Sequence, residues 1–165
     1  MLRLTREDVE HTVGWSLRVA GPWWLLQRDS GEPEPPWRTV TQRAATPDEL
    51  GAMRFAWKVV AAARSNAIVI ARETQLIGLG AGQTSRVDAV DLALMKARRA
   101  GHEPKGSVLA SDGFFPFADT VEHAAAAGVT AIVQPGGSVR DAEVIGICDR
   151  NGVAMVFTDR RVFRH

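Results

Sequence analysis

The sequence predicts an α/β protein, a three-layer α/β/α sandwich built around a mixed sheet. Two patterns carry this prediction. In the second half of the chain, short apolar runs at residues 107–110, 130–134 and 154–158 alternate with helical patterns, which is typical of parallel strands joined by helices. Before them, the apolar run 68–70 is followed after a short turn by the run 75–79, which predicts an antiparallel hairpin in the same sheet.

Helix signals separate these strands. The stretch TPDE at residues 46–49 offers an N-cap threonine, a proline for the first turn and a capping-box glutamate, so a helix should begin there and end near Arg64. Further helices are expected over residues 86–100, 119–127 and 140–150, each closed by a glycine that suits a helix end.

Residues 1–45 are the least regular part of the chain. The sequence there predicts a helix start at Thr5, a bent or edge strand over residues 18–27 and a short strand over residues 38–41. The proline-rich residues 32–36 are expected to form a loop, because proline fits neither a helix interior nor a central strand.

Composition sets bounds on function. A chain of 165 residues, 45% hydrophobic and 24% charged, suits a single domain over residues 1–165. The net charge of +1 gives no electrostatic footprint for nucleic acid or an anionic membrane. There is no signal peptide and no apolar run of about 18 residues, so a cytoplasmic location is expected. The single cysteine, Cys148, is predicted to be a buried small residue rather than a nucleophile.

Gly78, Gly80 and Gly82 are spaced by single apolar residues. This spacing differs from the dinucleotide-binding fingerprint, and the glycines follow a predicted hairpin instead of opening a strand–helix unit. They are predicted to be positions where a backbone or a ligand approaches closely.

The stretch Ser111-Asp112-Gly113-Phe114-Phe115-Pro116-Phe117 follows the strand predicted at residues 107–110. It therefore lies at the rim of the sheet, where open α/β folds bind their ligands. On the plain structural interpretation, the phenylalanines fill the core and Asp112 caps the next turn. The alternative interpretation is a ligand site.

Five motifs in order identify a family. They are residues 64–69 (RSNAIV), 78–88 (GLGAGQTSRVD), 111–117 (SDGFFPF), 134–138 (QPGGS) and 163–165 (FRH). Together they closely resemble the C-terminal half of the transformylase domain in the family of bifunctional aminoimidazole carboxamide ribonucleotide transformylase/inosine monophosphate cyclohydrolases.

The resemblance implies a cytidine-deaminase-like fold in a single copy, because the family's transformylase region contains two such units. The zinc signature of the deaminases is absent: the sequence has no PCxxC motif, and His102-Glu103-Pro104 lacks the HxE spacing. No zinc or other metal is therefore expected. The resemblance implies 10-formyltetrahydrofolate as the formyl donor.

The resemblance also implies a set of site residues, each of which is present here. For the substrate these are Asn66 at the carboxamide or ring edge, Arg86 and Arg161 at phosphate or nearby polar groups, and Phe114 and Phe163 against the ring. For the folate they are Asp119 at the pterin edge and Phe115 packed behind Phe114. His165 is the candidate catalytic group.

Structural alternatives remain open at this point. Asn66 suits a turn, Asp119 suits a helix cap, and Arg86 and Arg161 suit a solvated surface. His165 is equally a helper of the terminal carboxylate.

The family's catalytic Lys–His motif, similar to KHxNPCG, has no counterpart in this sequence. General acid–base catalysis is worth about 100- to 10,000-fold, so three hypotheses follow. The chain is a stand-alone, homodimeric enzyme for formyl or acyl transfer, or related ring closure, on an aminoimidazole ribonucleotide or similar small polar substrate. Alternatively, it is a ribonucleotide-binding half-subunit that needs a partner, or a fold recruited for another reaction in specialised metabolism. Trp23 and Trp24 are expected in the dimer interface.

Overall fold

The computed structural model describes residues 15–20, 22–28 and 36–164. The chain divides into two compact units, Met1–Glu34 and Pro35–His165. This is a division into compact units and not into domains, so the single domain expected over residues 1–165 stays a prediction.

The first unit contains an antiparallel hairpin of strands β1 (Trp15–Ala20) and β2 (Trp23–Arg28). The prediction of one bent or edge strand over residues 18–27 is wrong, because the chain reverses at Pro22, which lies in a turn and whose fixed φ suits that position. The predicted helix start at Thr5 lies outside the described residues.

The second unit is built on a sheet of six described strands in the order β3-β8-β7-β6-β4-β5. Strands β6, β7 and β8 run parallel, whereas β4 is antiparallel to both β5 and β6, and β3 is antiparallel to β8. The predicted mixed sheet is confirmed. The strands are β3 (Arg38–Thr39), β4 (Ile68–Arg72), β5 (Gln75–Gly80), β6 (Val108–Ser111), β7 (Ala131–Gln134) and β8 (Ala154–Phe157).

Four helices are described in this unit: α1 (Pro47–Ala62), α2 (Arg86–Arg99), α3 (Asp119–Ala126) and α4 (Asp141–Arg150). The capping box of α1 is confirmed. The Thr46 hydroxyl accepts from the Glu49 N–H at 3.2 Å, and the Glu49 carboxylate accepts from the Thr46 N–H at 2.8 Å. The side chain of Ser85 caps α2 by accepting from the Asp88 N–H at 3.1 Å. Each bond satisfies a donor that a helix start leaves free.

Alternate residues of β4, β6, β7 and β8 enter two separate cores. On β4, Val69 and Ala71 join the core under α1, whereas Ile68 and Ile70 join the core under α2, α3 and α4. The sheet is thus covered on both faces, which confirms the three layers and explains why its central strands are largely apolar. Cys148 lies fully inside the second core. Burial, with a smaller contribution from the charge of Asp149, raises the pKa of its thiol to about 12, so the thiol stays protonated.

Two of the predicted close approaches are between β5 and α2. A Cβ on Gly78 or Gly80 would collide with the backbone oxygen of Ala93 or Ala89, respectively. Glycine at these two positions therefore lets the helix lie directly on the strand. Within the described residues, no helix combines the length and the apolar character needed to cross a membrane.

Candidate functional site

A cavity of about 550 Å³ lies at the edge of the sheet where β6 ends and β4 begins. Its wall comes from the loop before β4, the start of α2, the phenylalanine-rich loop after β6, the start of α3 and the C-terminal tail. The lining residues are Asn66, Thr84, Ser85, Arg86, Val87, Phe114, Pro116, Phe117, Asp119, Thr120 and Phe163.

Arg86 is the buried cation of this cavity, with 8% of its surface exposed. Its Nε donates to Ser111 Oγ at 3.0 Å, its Nη1 to Asn66 Oδ1 at 2.8 Å and its Nη2 to Asp112 Oδ1 at 2.9 Å. A guanidinium can serve three acceptors in one plane because its donors form a rigid fork. Arg86 is therefore a fixed part of the site and not a surface arginine.

The electrostatic balance at Arg86 involves a second arginine. Burial lowers the pKa of Arg86, the Asp112 carboxylate opposes this, and the charge of Arg161 lowers the pKa further. Arg86 still stays charged, because an arginine pKa lies far above neutral pH. Asp112 neutralises Arg86, whereas the charge of Arg161 adds positive potential beside it.

The amide of Asn66 is held on both sides. Its Nδ2 donates to the carbonyl oxygens of Gln83 at 3.0 Å and Thr84 at 3.2 Å, while its Oδ1 accepts from Arg86. Two carbonyl acceptors and one guanidinium donor determine which end of the amide carries the oxygen. Asn66 lines the cavity in a set orientation, with one lone pair of Oδ1 left for a ligand donor.

Aromatic rings form the apolar walls. The Arg161 guanidinium lies 4.9 Å from the centre of the Phe114 ring, and the Arg86 guanidinium lies 5.9 Å from that of Phe163. Both distances fall within the range of cation–π attraction. Arg161 does not line the main cavity. It lines an adjacent one of about 210 Å³ with Pro135, Gly136, Gly137 and Asp159.

Phe115 lies elsewhere. Its ring has 0% exposure and belongs to the core under α2, α3 and α4, so the structure does not bring it to the cavity with the other predicted site residues. The physical reason is that both phenylalanines lie in the loop after β6, where the path of the backbone turns Phe114 to the cavity and Phe115 to the core. Phe117, 51% exposed, is the phenylalanine that lines the wall beside Phe114.

Asp119 stands at the first turn of α3, where a carboxylate is favoured by the helix dipole. Its Oδ1 accepts from the Thr120 N–H at 2.6 Å and the Thr120 hydroxyl at 3.2 Å. The side chain is exposed and lines the cavity.

The C-terminal tail is tied to the loop before β4 and to Asp112. The Ser65 N–H donates to Arg164 O at 2.9 Å, the Arg164 N–H to Ser65 Oγ at 2.9 Å, and the Val162 N–H to Asp112 O at 3.1 Å. These bonds place Phe163 against the cavity. The candidate catalytic residue His165 lies outside the described residues.

Sequence reasoning missed the role of two residues, Ser111 and Asp112. Both are fully buried and both bind Arg86, whereas the sequence suggested only a turn cap for Asp112. The available signal was a polar pair directly at the end of an apolar strand. Within the described part of the chain, no cluster of three or more His, Cys, Asp or Glu side chains is arranged to hold a metal ion.

Comparison with known proteins decides the family. The family model described as "AICARFT/IMPCHase bienzyme" matches residues 2–96. The chain belongs to this family. It is 56% identical over 153 residues to the bifunctional purine biosynthesis protein PurH of Chloroflexus aurantiacus, covering 92% of this chain and 30% of that protein. It is 54% identical over 147 residues to PurH of Myxococcus xanthus, covering 89% and 28%.

The chain thus spans about 30% of the length of these relatives. Their family is one of bifunctional enzymes of purine biosynthesis.

Two solved structures resemble the chain at low identity, a dCMP deaminase and RibD. A dCMP deaminase from the cyanophage S-TIM5 is 17% identical, with a TM-score of 0.45, covering 62% of this chain and 90% of that one. RibD from Acinetobacter baumannii is 19% identical, with a TM-score of 0.42, covering 67% and 34%. At these TM-scores the likeness carries no argument.

Proposed function

We propose that this chain forms the ribonucleotide- and folate-binding part of a transformylase site. In the reaction, the amino group of aminoimidazole carboxamide ribonucleotide attacks the formyl carbon of 10-formyltetrahydrofolate. The bond from that carbon to the folate nitrogen breaks, the amine loses a proton and the folate nitrogen gains one, so that tetrahydrofolate leaves. One observation carries the proposal: five of the residues assigned from the resemblance line a single cavity. They are Asn66, Arg86, Phe114, Asp119 and Phe163.

The ribonucleotide would occupy the end of the cavity near Arg161. Phe114 and Phe163 offer ring faces for the imidazole. Arg161, stacked on Phe114 and exposed, provides the cation for the phosphate, since an arginine fork matches phosphate oxygens. The free lone pair of Asn66 Oδ1 would accept from the carboxamide.

The folate would occupy the end near α3. An amino-pyrimidine ring donates N–H groups, and the exposed Asp119 carboxylate accepts them. Pro116 and Phe117 provide apolar contact beside it. The residues therefore fit a folate, and the bound folate would supply the formyl group.

The second candidate function is that of a ribonucleotide-binding half-subunit without a proton-transfer group of its own. Within the described residues, the wall of the cavity contains no histidine and no lysine. Among the described lining residues Asp119 is the only carboxylate, and we assign that side chain to the folate. On this hypothesis, another polypeptide segment must bring the general base.

Calorimetric titration of the full chain with the ribonucleotide tests the proposal. Arg161→Ala should weaken binding at least tenfold, because a hydrogen bond to a charged group is worth about 1.5–3 kcal/mol. Arg99→Ala, which removes an exposed arginine at the end of α2, is the matched control and should leave the affinity unchanged. Equal affinities of wild type and Arg161→Ala would contradict the assignment.

Adding 10-formyltetrahydrofolate and following product absorbance separates the two candidates. If the chain turns over and Arg161→Ala abolishes the turnover, the chain is an enzyme. If the chain binds the ribonucleotide without turnover, it is a ribonucleotide-binding half-subunit. Absence of both binding and turnover contradicts the proposal.

Homodimer formation stays a prediction. Light scattering should give twice the 17.9 kDa of one chain, and a monomer mass at micromolar concentration would argue against it.

A further inference from the structure

We propose that Asp112 is a positioning residue that sets both the Arg86 guanidinium and the Phe163 ring against the ligand. The inference rests on the proposed function for the identity of that ligand, but the positioning itself can be measured without it.

Asp112 contacts three segments that build the cavity. It follows β6 directly and has 0% exposure. Its Oδ1 accepts from Arg86 Nη2 at 2.9 Å, its backbone oxygen accepts from the Val162 N–H at 3.1 Å, and its N–H donates to Ala67 O at 3.3 Å. One residue thus joins the start of α2, the C-terminal tail and the entry to β4.

The orientation that Asp112 imposes leaves donors for a ligand. A guanidinium carries five N–H groups, and the bonds to Ser111, Asn66 and Asp112 engage three of them. Arg86 also lines the cavity. The remaining N–H groups on Nη1 and Nη2 are therefore the ones that an acceptor on the ligand can reach.

Stability does not explain why a carboxylate occupies this position. A buried ion pair is often no more stable than apolar side chains of the same shape. In addition, the Oδ2 atom of Asp112 accepts no hydrogen bond from the described residues, and burying an unpaired oxygen is unfavourable. What the carboxylate does contribute is a fixed direction for the Arg86 fork.

The test compares Asp112→Asn with Asp149→Asn in the full chain. Asparagine keeps the shape and one acceptor but removes the charge that makes the bond to Arg86 strong. Asp149 is the matched control, because its carboxylate also accepts one hydrogen bond, from the Gln42 N–H at 2.8 Å, and does not line the cavity. Two readouts apply: the nitrogen-15 NMR signal of the Arg86 Nε–H group, and the dissociation constant of aminoimidazole carboxamide ribonucleotide.

Asp112→Asn should shift the Arg86 Nε–H signal and accelerate its solvent exchange, and should weaken ribonucleotide binding about tenfold or more. Asp149→Asn should change neither readout. If Asp112 served only to neutralise Arg86, removing its charge would tighten binding of the anionic ribonucleotide. A tighter or unchanged dissociation constant would therefore overturn the inference.

The experiment distinguishes a failure of the proposed function from a failure of the inference about Asp112. If wild type binds no ribonucleotide, the proposed function is wrong, and the Arg86 Nε–H signal alone decides the inference: an identical signal in Asp112→Asn overturns it. If Asp112→Asn does not fold, Val162→Pro provides the second variant. It removes the N–H that Asp112 O accepts, together with the Val162 side chain that packs on the core under α1, and should displace Phe163 and weaken binding severalfold, whereas full affinity would overturn the inference.

Discussion

Two cavities of nearly equal size lie at opposite ends of strands β4 and β6. The first, of about 550 Å³, is the candidate site. The second, of about 540 Å³, lies between the start of α1 and the β4–β5 turn, and its lining includes Glu49, Gly51, Arg72 and Glu73 but no aromatic residue. Volume therefore does not distinguish a site from a surface groove.

The charged groups of the two cavities differ in what engages them. In the second cavity, Arg72 donates to the carbonyl oxygens of Glu103 and Lys105 at 2.7 and 2.8 Å, and Glu49 is engaged by Arg43 and the Thr46 N–H. These bonds tie down loops and a helix end. In the first cavity, the bonds of Arg86 fix a cation beside aromatic walls, and such a lining of apolar rings with a few placed polar groups is typical of small-molecule pockets.

The largest expected difference between the cavities is the cost of removing their arginines. Arg86→Ala leaves the buried carboxylate of Asp112 without its partner, which should lower the free energy of unfolding by about 3–5 kcal/mol. Arg72→Ala removes exposed hydrogen bonds and should cost about 1 kcal/mol. Urea denaturation measures the loss in free energy of unfolding for each variant. Equal losses would contradict the difference described between the two cavities.

A second contrast uses one glycine from each region. A Cβ on Gly113 would meet Arg86 Nη2 and the Phe163 ring, whereas a Cβ on Gly51 would meet nothing within 4 Å. Gly113→Ala should therefore cost about 1–3 kcal/mol through overpacking and weaken ligand binding. Gly51→Ala, inside helix α1, should stabilise the protein by about 0.5–1 kcal/mol. Thermal unfolding should move in opposite directions for the two variants, and a shift in the same direction would contradict the packing described at Gly113.

The smallest expected effect is a pH dependence that belongs to the second cavity. Burial alone would raise the pKa of Glu49, but the hydrogen bonds from Arg43 and the Thr46 N–H, with the charge of Arg43, hold it below its ordinary value of 4.5. A carboxylate whose pKa is lower in the folded than in the unfolded state stabilises the fold at pH values above its unfolded-state pKa. This stabilisation is lost as the pH falls through the folded-state pKa.

Glu49→Gln keeps the capping box and removes the charge. It should cost about 1 kcal/mol at pH 7, and the difference from wild type should shrink below about pH 4.5. Chemical denaturation at pH 7 and pH 3.5 measures this, and a difference that does not change with pH would contradict the ionic role of Glu49.

Much of the fold could be predicted because its signals are local. The capping box at Thr46 and Glu49 and the alternation of strands and helices each lie within short windows. The prediction over residues 18–27 was wrong for a local reason as well, since a proline in a tight turn reverses the chain instead of bending it.

The sequence by itself determined the helices and strands of the second unit, the mixed three-layer sheet and the family, because each of these rests on neighbouring residues or ordered motifs. Only the tertiary structure decided that Phe114 faces the cavity while Phe115 enters the core, and that Asp112 pairs with Arg86, 26 residues away. The reason is physical. Side-chain alternation is defined along a strand but not in the loop beyond it, and a buried ion pair forms only where separate segments converge.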